Sequence, residues 1–167
     1  VLSLEQTVFV DVVEDGKDFA ANAKKKAVAF MQANQCPALA DDSGLCVTAL
    51  NDAPGVWSAR FAGENATDNS NNLKLLADMA GITQRQAYFI CALHIAFPDD
   101  LRPLTATGKV EGYILESRTG DTGFGYDPLF FSPELKQTFA QASAEEKASV
   151  SHRGRALQAL HATMSQT

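Results

Sequence analysis

The run Gln86 to Phe97 constrains the fold more than any other part of the chain. It is apolar almost throughout and rich in aromatic and branched residues, the pattern of a strand buried on both faces rather than one. Pro98-Asp99-Asp100 follows as a hairpin-like turn, and Leu104 to Leu115 reads as the partner strand, alternating in places. Before this pair, Asp18 to Asn34 reads as a helix. Asp18 is placed to cap it, and Phe19, Ala23, Ala27 and Phe30 recur at helical spacing. Pro37 to Ala40 is a short apolar strand ending in Asp41-Asp42-Ser43-Gly44, and Leu45 to Leu50 reads as a second short strand. Thr67 to Ala80 is a helix closed by Gly81. Thr119 to Phe131 holds too many glycines for regular structure. Ser143 to Ala148 and Ser151 to Met164 read as closing helices. The order implies an α/β fold, an elongated mixed sheet with flanking helices, and the 167 residues suit a single domain.

Charge and composition exclude several functions. A net charge of −6 repels nucleic-acid phosphate, so broad DNA or RNA binding is not expected. A small anion needs only a local basic cluster or a metal ion. No apolar run approaches the roughly 20 residues that span a bilayer, and the first residues lack a signal peptide's basic region. Cys36, Cys46 and Cys91 have neither disulfide-framework nor zinc-site spacing, which suits a reducing cytoplasm.

Five clusters can carry chemistry. Adjacent carboxylates at Asp41-Asp42 repel each other unless a cation joins them, and magnesium is the natural partner. Strand alternation sends the two side chains to opposite faces, so one reaches any given ion; an ordinary solvated turn fits the same residues. Glu14 can add a second carboxylate. Of Lys24, Lys25 and Lys26, Lys26 is best placed on the inner side of its helix, where it needs an anion. In Gly123-Phe124-Gly125-Tyr126-Asp127-Pro128 the glycines let amides approach a ligand, the two rings offer stacking faces, and Asp127 can accept from base N–H groups. Ser151-His152-Arg153 at a helix start, with Lys147 just upstream, forms an anion or carbonyl-oxygen site. Each of these also fits a purely structural role.

Taken together, these segments resemble the inosine/xanthosine triphosphate pyrophosphatase family. The resemblance is carried by Glu14 with Phe19 to Ala23 and Lys26-Ala27, by Leu39 to Leu45, by Ala53 to Gly63, by Gly123 to Pro128 and by Ser151 to Gly154. It implies a central nucleotide-binding cleft, magnesium dependence, a homodimer, and hydrolysis of ITP, dITP and XTP to monophosphate and pyrophosphate. It further implies that Asp42 binds metal and activates water and that Glu14 assists the metal. Ser43, Lys26 and Lys147 would contact substrate, Phe124, Gly125, Tyr126 and Asp127 would hold the base, and His152 and Arg153 would read its carbonyl edge. The family's usual opening strand and T-x-x-N-x-x-K motif have no counterpart before Glu14, so the chain reads as N-terminally short. Gln141 and Ala148 depart from family habit. A nucleotide-binding or assembly module of the same fold without turnover is the competing reading.

Overall fold

The structure, a computed structural model, describes residues 7–99 and 102–165. The first helix, α1 (Phe19–Asn34), starts where the Asp18 carboxylate accepts from the Ala21 amide at 2.8 Å. It stops where Gln35 turns left-handed and donates its N–H to the Met31 carbonyl. Its buried face is narrow and small, Asn22, Ala23 and Ala27, which lets the helix lie close on the sheet.

The sheet runs in the order β1 (Ala38–Val47), β2 (Gln86–Ala96), β3 (Leu104–Ile114), β4 (Phe130–Ser132) and β5 (Gln137–Thr138). Every ladder among the described residues is antiparallel. β2 lies between β1 and β3, so both its edges are paired, and α1 and α4 pack on it, which buries most of its residues as its composition requires. The helix α1 packs on β1 and β2. On the opposite face α4 (His152–Met164) packs on β3 and β2, with Ala156 and Leu160 against Cys91 and Leu93. Two shorter helices complete the frame. Thr67 and Ser70 form a capping box at the start of α2 (Asp68–Asp78), and Ser143 and Glu146 form another at α3 (Ala144–Val150).

The larger core cluster centres on three rings. Phe130 lies 4.7 Å from Phe89 and 4.9 Å from Phe139, centroid to centroid, among Leu45, Leu75, Val110 and Leu129. Burying one such ring contributes about 1.5–3 kcal/mol. Arg85 closes the end of this core by donating to the carbonyls of Met79, Ile82, Ile114 and Leu115.

The α/β class and the flanking helices expected from the sequence are present, with two corrections. The two short strands expected on either side of Asp41 to Gly44 are one continuous strand, β1, ending at Val47. The charges do not break it because each carboxylate meets a cation from a helix, Lys26 or Arg153. Gly44 stays in register because its missing side chain makes room for a loop: a Cβ there would lie 2.5 Å from the Gly55 carbonyl oxygen and from Ser58 Oγ. Thr48–Leu50, expected as strand, is a 3-10 turn. The second correction is at the end of the glycine-rich segment, where Phe130 and Phe131 join the sheet as β4. Asp100 of the expected hairpin turn lies outside the described residues. No helix among the described residues is long and apolar enough to cross a membrane.

Gly108 in β3 decides how close α4 can come. A Cβ there would sit 2.1 Å from the His152 carbonyl oxygen and 2.3 Å from the Ala156 nitrogen, both backbone atoms. Gly108→Ala therefore displaces the start of α4, and is expected to cost about 1–3 kcal/mol. Urea denaturation checks this as a lower midpoint at unchanged slope.

Candidate active site

The site is built on the middle of β1. Its alternation sends Asp42 toward α1 and Asp41 toward α4. On the α1 side, Asp42 Oδ1 accepts from Lys26 Nζ at 2.9 Å and Oδ2 from Asn22 Nδ2 at 3.2 Å. Lys26 also reaches Glu14 Oε1 at 3.2 Å. Glu14 is held by its backbone, whose carbonyl accepts from Arg60 Nη2 at 2.7 Å, and Asn22 fixes the neighbouring Gly16 amide. Burial pushes the Asp42 carboxyl above the usual carboxylate range despite Lys26 and Asn22, with Glu14 adding to the rise. Burial alone would lower Lys26, but Asp42 and Glu14 outweigh it and hold the ammonium above its ordinary value. Two carboxylates thus converge on one cationic position, a hard-oxygen pair suited to a divalent cation. Among the described residues no set of three or more His, Cys, Asp or Glu side chains gathers into a fuller metal cage.

On the α4 side, Asp41 Oδ2 accepts from Arg153 Nη2 at 2.7 Å and Nε at 3.2 Å, and from Ser43 Oγ at 3.0 Å. Burial raises the Asp41 carboxyl, but the guanidinium outweighs it and the net shift is downward. Arg153 is thereby aimed along the strand.

A cavity of about 630 Å³ opens between β1, the glycine-rich loop and the start of α4. Its size suits a nucleoside-sized ligand. Gly123 and Gly125 take φ of 80° and 60°, values that favour glycine. Between them Phe124 stands 61% exposed, while Tyr126 is buried in the core with its hydroxyl donating to the Ser58 carbonyl at 2.9 Å. Asp127 is buried as well; its Oδ2 accepts from the Phe124 amide at 2.9 Å and from Lys147. Lys147 Nζ then lies 4.5 Å over the Phe124 ring.

Across the cavity His152 opens α4, whose cap Ser151 accepts from the Gly154 amide at 3.1 Å. The imidazole is 6% exposed and stacks on Phe89 with centroids 4.9 Å apart. Burial, then Arg153 and Lys147, drives it down to about 4, so it is neutral at pH 7. Its Nδ1 is a buried polar atom with no hydrogen-bond partner among the described residues. Such an atom costs stability unless something else supplies the bond.

The residues singled out in the sequence thus fall into two clusters. Ser43, Phe124, Gly125, Tyr126, Asp127, Lys147, His152 and Arg153 line the cavity. Glu14, Lys26 and Asp42 gather beside α1, joined to it through the strand residues Ser43 and Gly44. Two placements differ in kind from what the motif suggests: the flat face of Tyr126 packs in the core, and Asp127 directs an oxygen to its own loop and to Lys147. Sequence reading passed over Asp68, Asn71 and Asn72 of α2, which touch both loops at the cavity; their only signal was a helix start.

The model of the Ham1 family matches residues 1–163. A protein of Desulfotalea psychrophila named dITP/XTP pyrophosphatase is 54% identical over 147 residues, covering 88% of this chain and 66% of its own. One of the same name from Clostridium perfringens is 46% identical over 169 residues, covering 96% and 82%. The chain thus spans just under two thirds of the length of the Desulfotalea relative. The solved Ham1 protein of Staphylococcus aureus superposes with a TM-score of 0.89 at 43% identity, over 94% of this chain and 81% of that one. A Coxiella burnetii HAM1 protein also superposes at 0.89, with 41% identity over 95% and 82%. With the match running from the first residue to the last helix and the same fold in both solved proteins, the chain belongs to the Ham1 family.

Proposed function

We propose that the chain hydrolyses non-canonical purine nucleoside triphosphates, ITP, dITP and XTP, to the monophosphate and pyrophosphate. The observation that carries this reading is the buried, neutral His152 beside Arg153 and Lys147 in the lining of the cavity, its Nδ1 without a hydrogen-bond partner among the described residues. Relatives named dITP/XTP pyrophosphatase support it. A hypoxanthine or xanthine ring presents a 6-carbonyl, an acceptor matched to Arg153 and to a His152 N–H. Adenine presents a 6-amino donor there, and a donor facing donors loses the bond on both sides. Phe124 offers the stacking face.

The triphosphate would run from the cavity past Ser43 toward Asp42. A magnesium ion fits the Asp42 and Glu14 pair, because it takes one or two carboxylates and completes its shell with water and phosphate. When bound it supplies charge neutralisation of the phosphates and an acidified water. Asp42, buried and with its carboxyl raised above its ordinary value, accepts the proton of the attacking water. Lys26, held protonated by its acidic neighbours, turns from Asp42 to the phosphate oxygens as charge develops. Attack on the α-phosphorus releases pyrophosphate. A homodimer is part of the same reading.

Asp42→Asn is expected to lower pyrophosphate release from dITP by about 10²–10⁴-fold. The check is a coupled pyrophosphate assay with magnesium at saturating substrate; equal rates in variant and wild type refute the role of Asp42. A second expectation concerns pH. Unfolded, His152 takes a proton near its ordinary value of about 6.5; folded, it does so only near 4. Stability from the neutral ring is therefore complete above about pH 6.5 and is lost as the pH falls toward 4. Thermal melts of His152→Gln across this range should show a shallower acid loss than wild type, and parallel curves would contradict the shift.

A further inference from the structure

The first turn of α2 grips both loops at the cavity. Asp68 Oδ2 accepts from the Gly125 amide at 2.6 Å, and Asn72 Nδ2 donates to the Gly125 carbonyl at 2.7 Å and to the Asp68 carbonyl at 2.6 Å. Gly125 is thus held by its N–H and its C=O at once. Beside them, Asn71 donates to the Ala59 carbonyl at 3.0 Å and accepts from the Ala62 amide at 2.8 Å, and Asn69 accepts from Arg118 at 2.7 Å.

Gly125 needs holding. Its φ is 60° and nothing lies within 4 Å of where a Cβ would stand, and Gly123 two residues earlier also takes a positive φ, of 80°. A segment with two such glycines samples many conformations, each placing the Phe124 ring differently. Asn72 is fully buried, and its Oδ1 has no hydrogen-bond partner among the described residues. Both carbonyls it serves demand its amide protons, so turning the amide over would satisfy the oxygen only by breaking two bonds. Asn72 therefore accepts a local cost that only the grip on Gly125 and Asp68 offsets.

We infer that Asp68 and Asn72 are positioning residues for base recognition: they fix the Gly125 peptide, and with it the Phe124 platform, against His152. This role rests on the purine-nucleotide reading above. Neither residue belongs to the proton-transfer or metal-side cluster, so it acts on binding rather than on the chemical step.

The test measures KM and kcat for dITP in Asp68→Ala, Asn72→Ala and Asp68→Asn, together with the Kd of inosine monophosphate by calorimetry. Asp68→Ala and Asn72→Ala should each raise KM and Kd about tenfold, the loss of roughly one good hydrogen bond, with kcat within about twofold. Asp68→Asn keeps an acceptor oxygen and should return close to wild type. Asp68 is exposed, so Asp68→Ala is the arm least exposed to a folding failure at the buried Asn72. The role is overturned if Asp68→Ala leaves KM and Kd unchanged, if kcat falls while KM holds, or if Asp68→Asn is as impaired as Asp68→Ala. Wild type that binds the monophosphate but hydrolyses nothing defeats the hydrolase reading alone, because Kd still decides the role of the clamp. Wild type that binds no purine nucleotide defeats both.

Discussion

Two neighbouring carboxylates in one strand are the constraint on which the site depends. Side by side in sequence, Asp41 and Asp42 would repel each other in a flat turn. The pleat separates them across the sheet, and each face answers with a cation from a helix, Lys26 of α1 or Arg153 of α4. The same pairings tie α1 and α4 to the two faces of β1. They also divide labour: a downward-shifted Asp41 permanently anchors an arginine, whereas an upward-shifted Asp42 can take a proton. On the proposed reading, one strand thus carries a structural acid and a chemical acid at successive positions.

Much of this was legible in the sequence. Helix limits were readable because caps act locally, as at Asp18, Thr67 and Ser151. The β2–β3 pair was readable because its pattern follows from burial alone. The opposite facing of Asp41 and Asp42 was readable from the period of a strand. Continuity of β1 was not, because the cations that allow it arrive from residues 26 and 153, far along the chain. The core packing of Tyr126 was not readable either: a Gly-aromatic-Gly-aromatic run does not reveal which ring points inward until Ser58, distant in sequence, offers its carbonyl. The contribution of α2 was hidden for a similar reason. Its polar first turn looks like ordinary capping, and its second use appears only when Gly125 is brought beside it.

The electrostatics of the cavity follow from its layering. Burial, and then Arg153 and Lys147, hold the His152 imidazole down at about 4, so it is the neutral group beside two cations. A charged histidine there would attract phosphate as strongly as any lysine and could not tell one end of a nucleotide from the other. On the proposed reading, a neutral ring whose buried Nδ1 lacks a partner among the described residues would instead recognise a single heteroatom at a defined place. The α1 side has the opposite character, a lysine kept charged by two carboxylates. On the proposed reading, the nucleotide would lie with its base toward α4 and its phosphates toward α1, following which cation each face of β1 receives. Gly108 makes this arrangement possible, since only a residue without a side chain lets α4 bring His152 down onto Phe89.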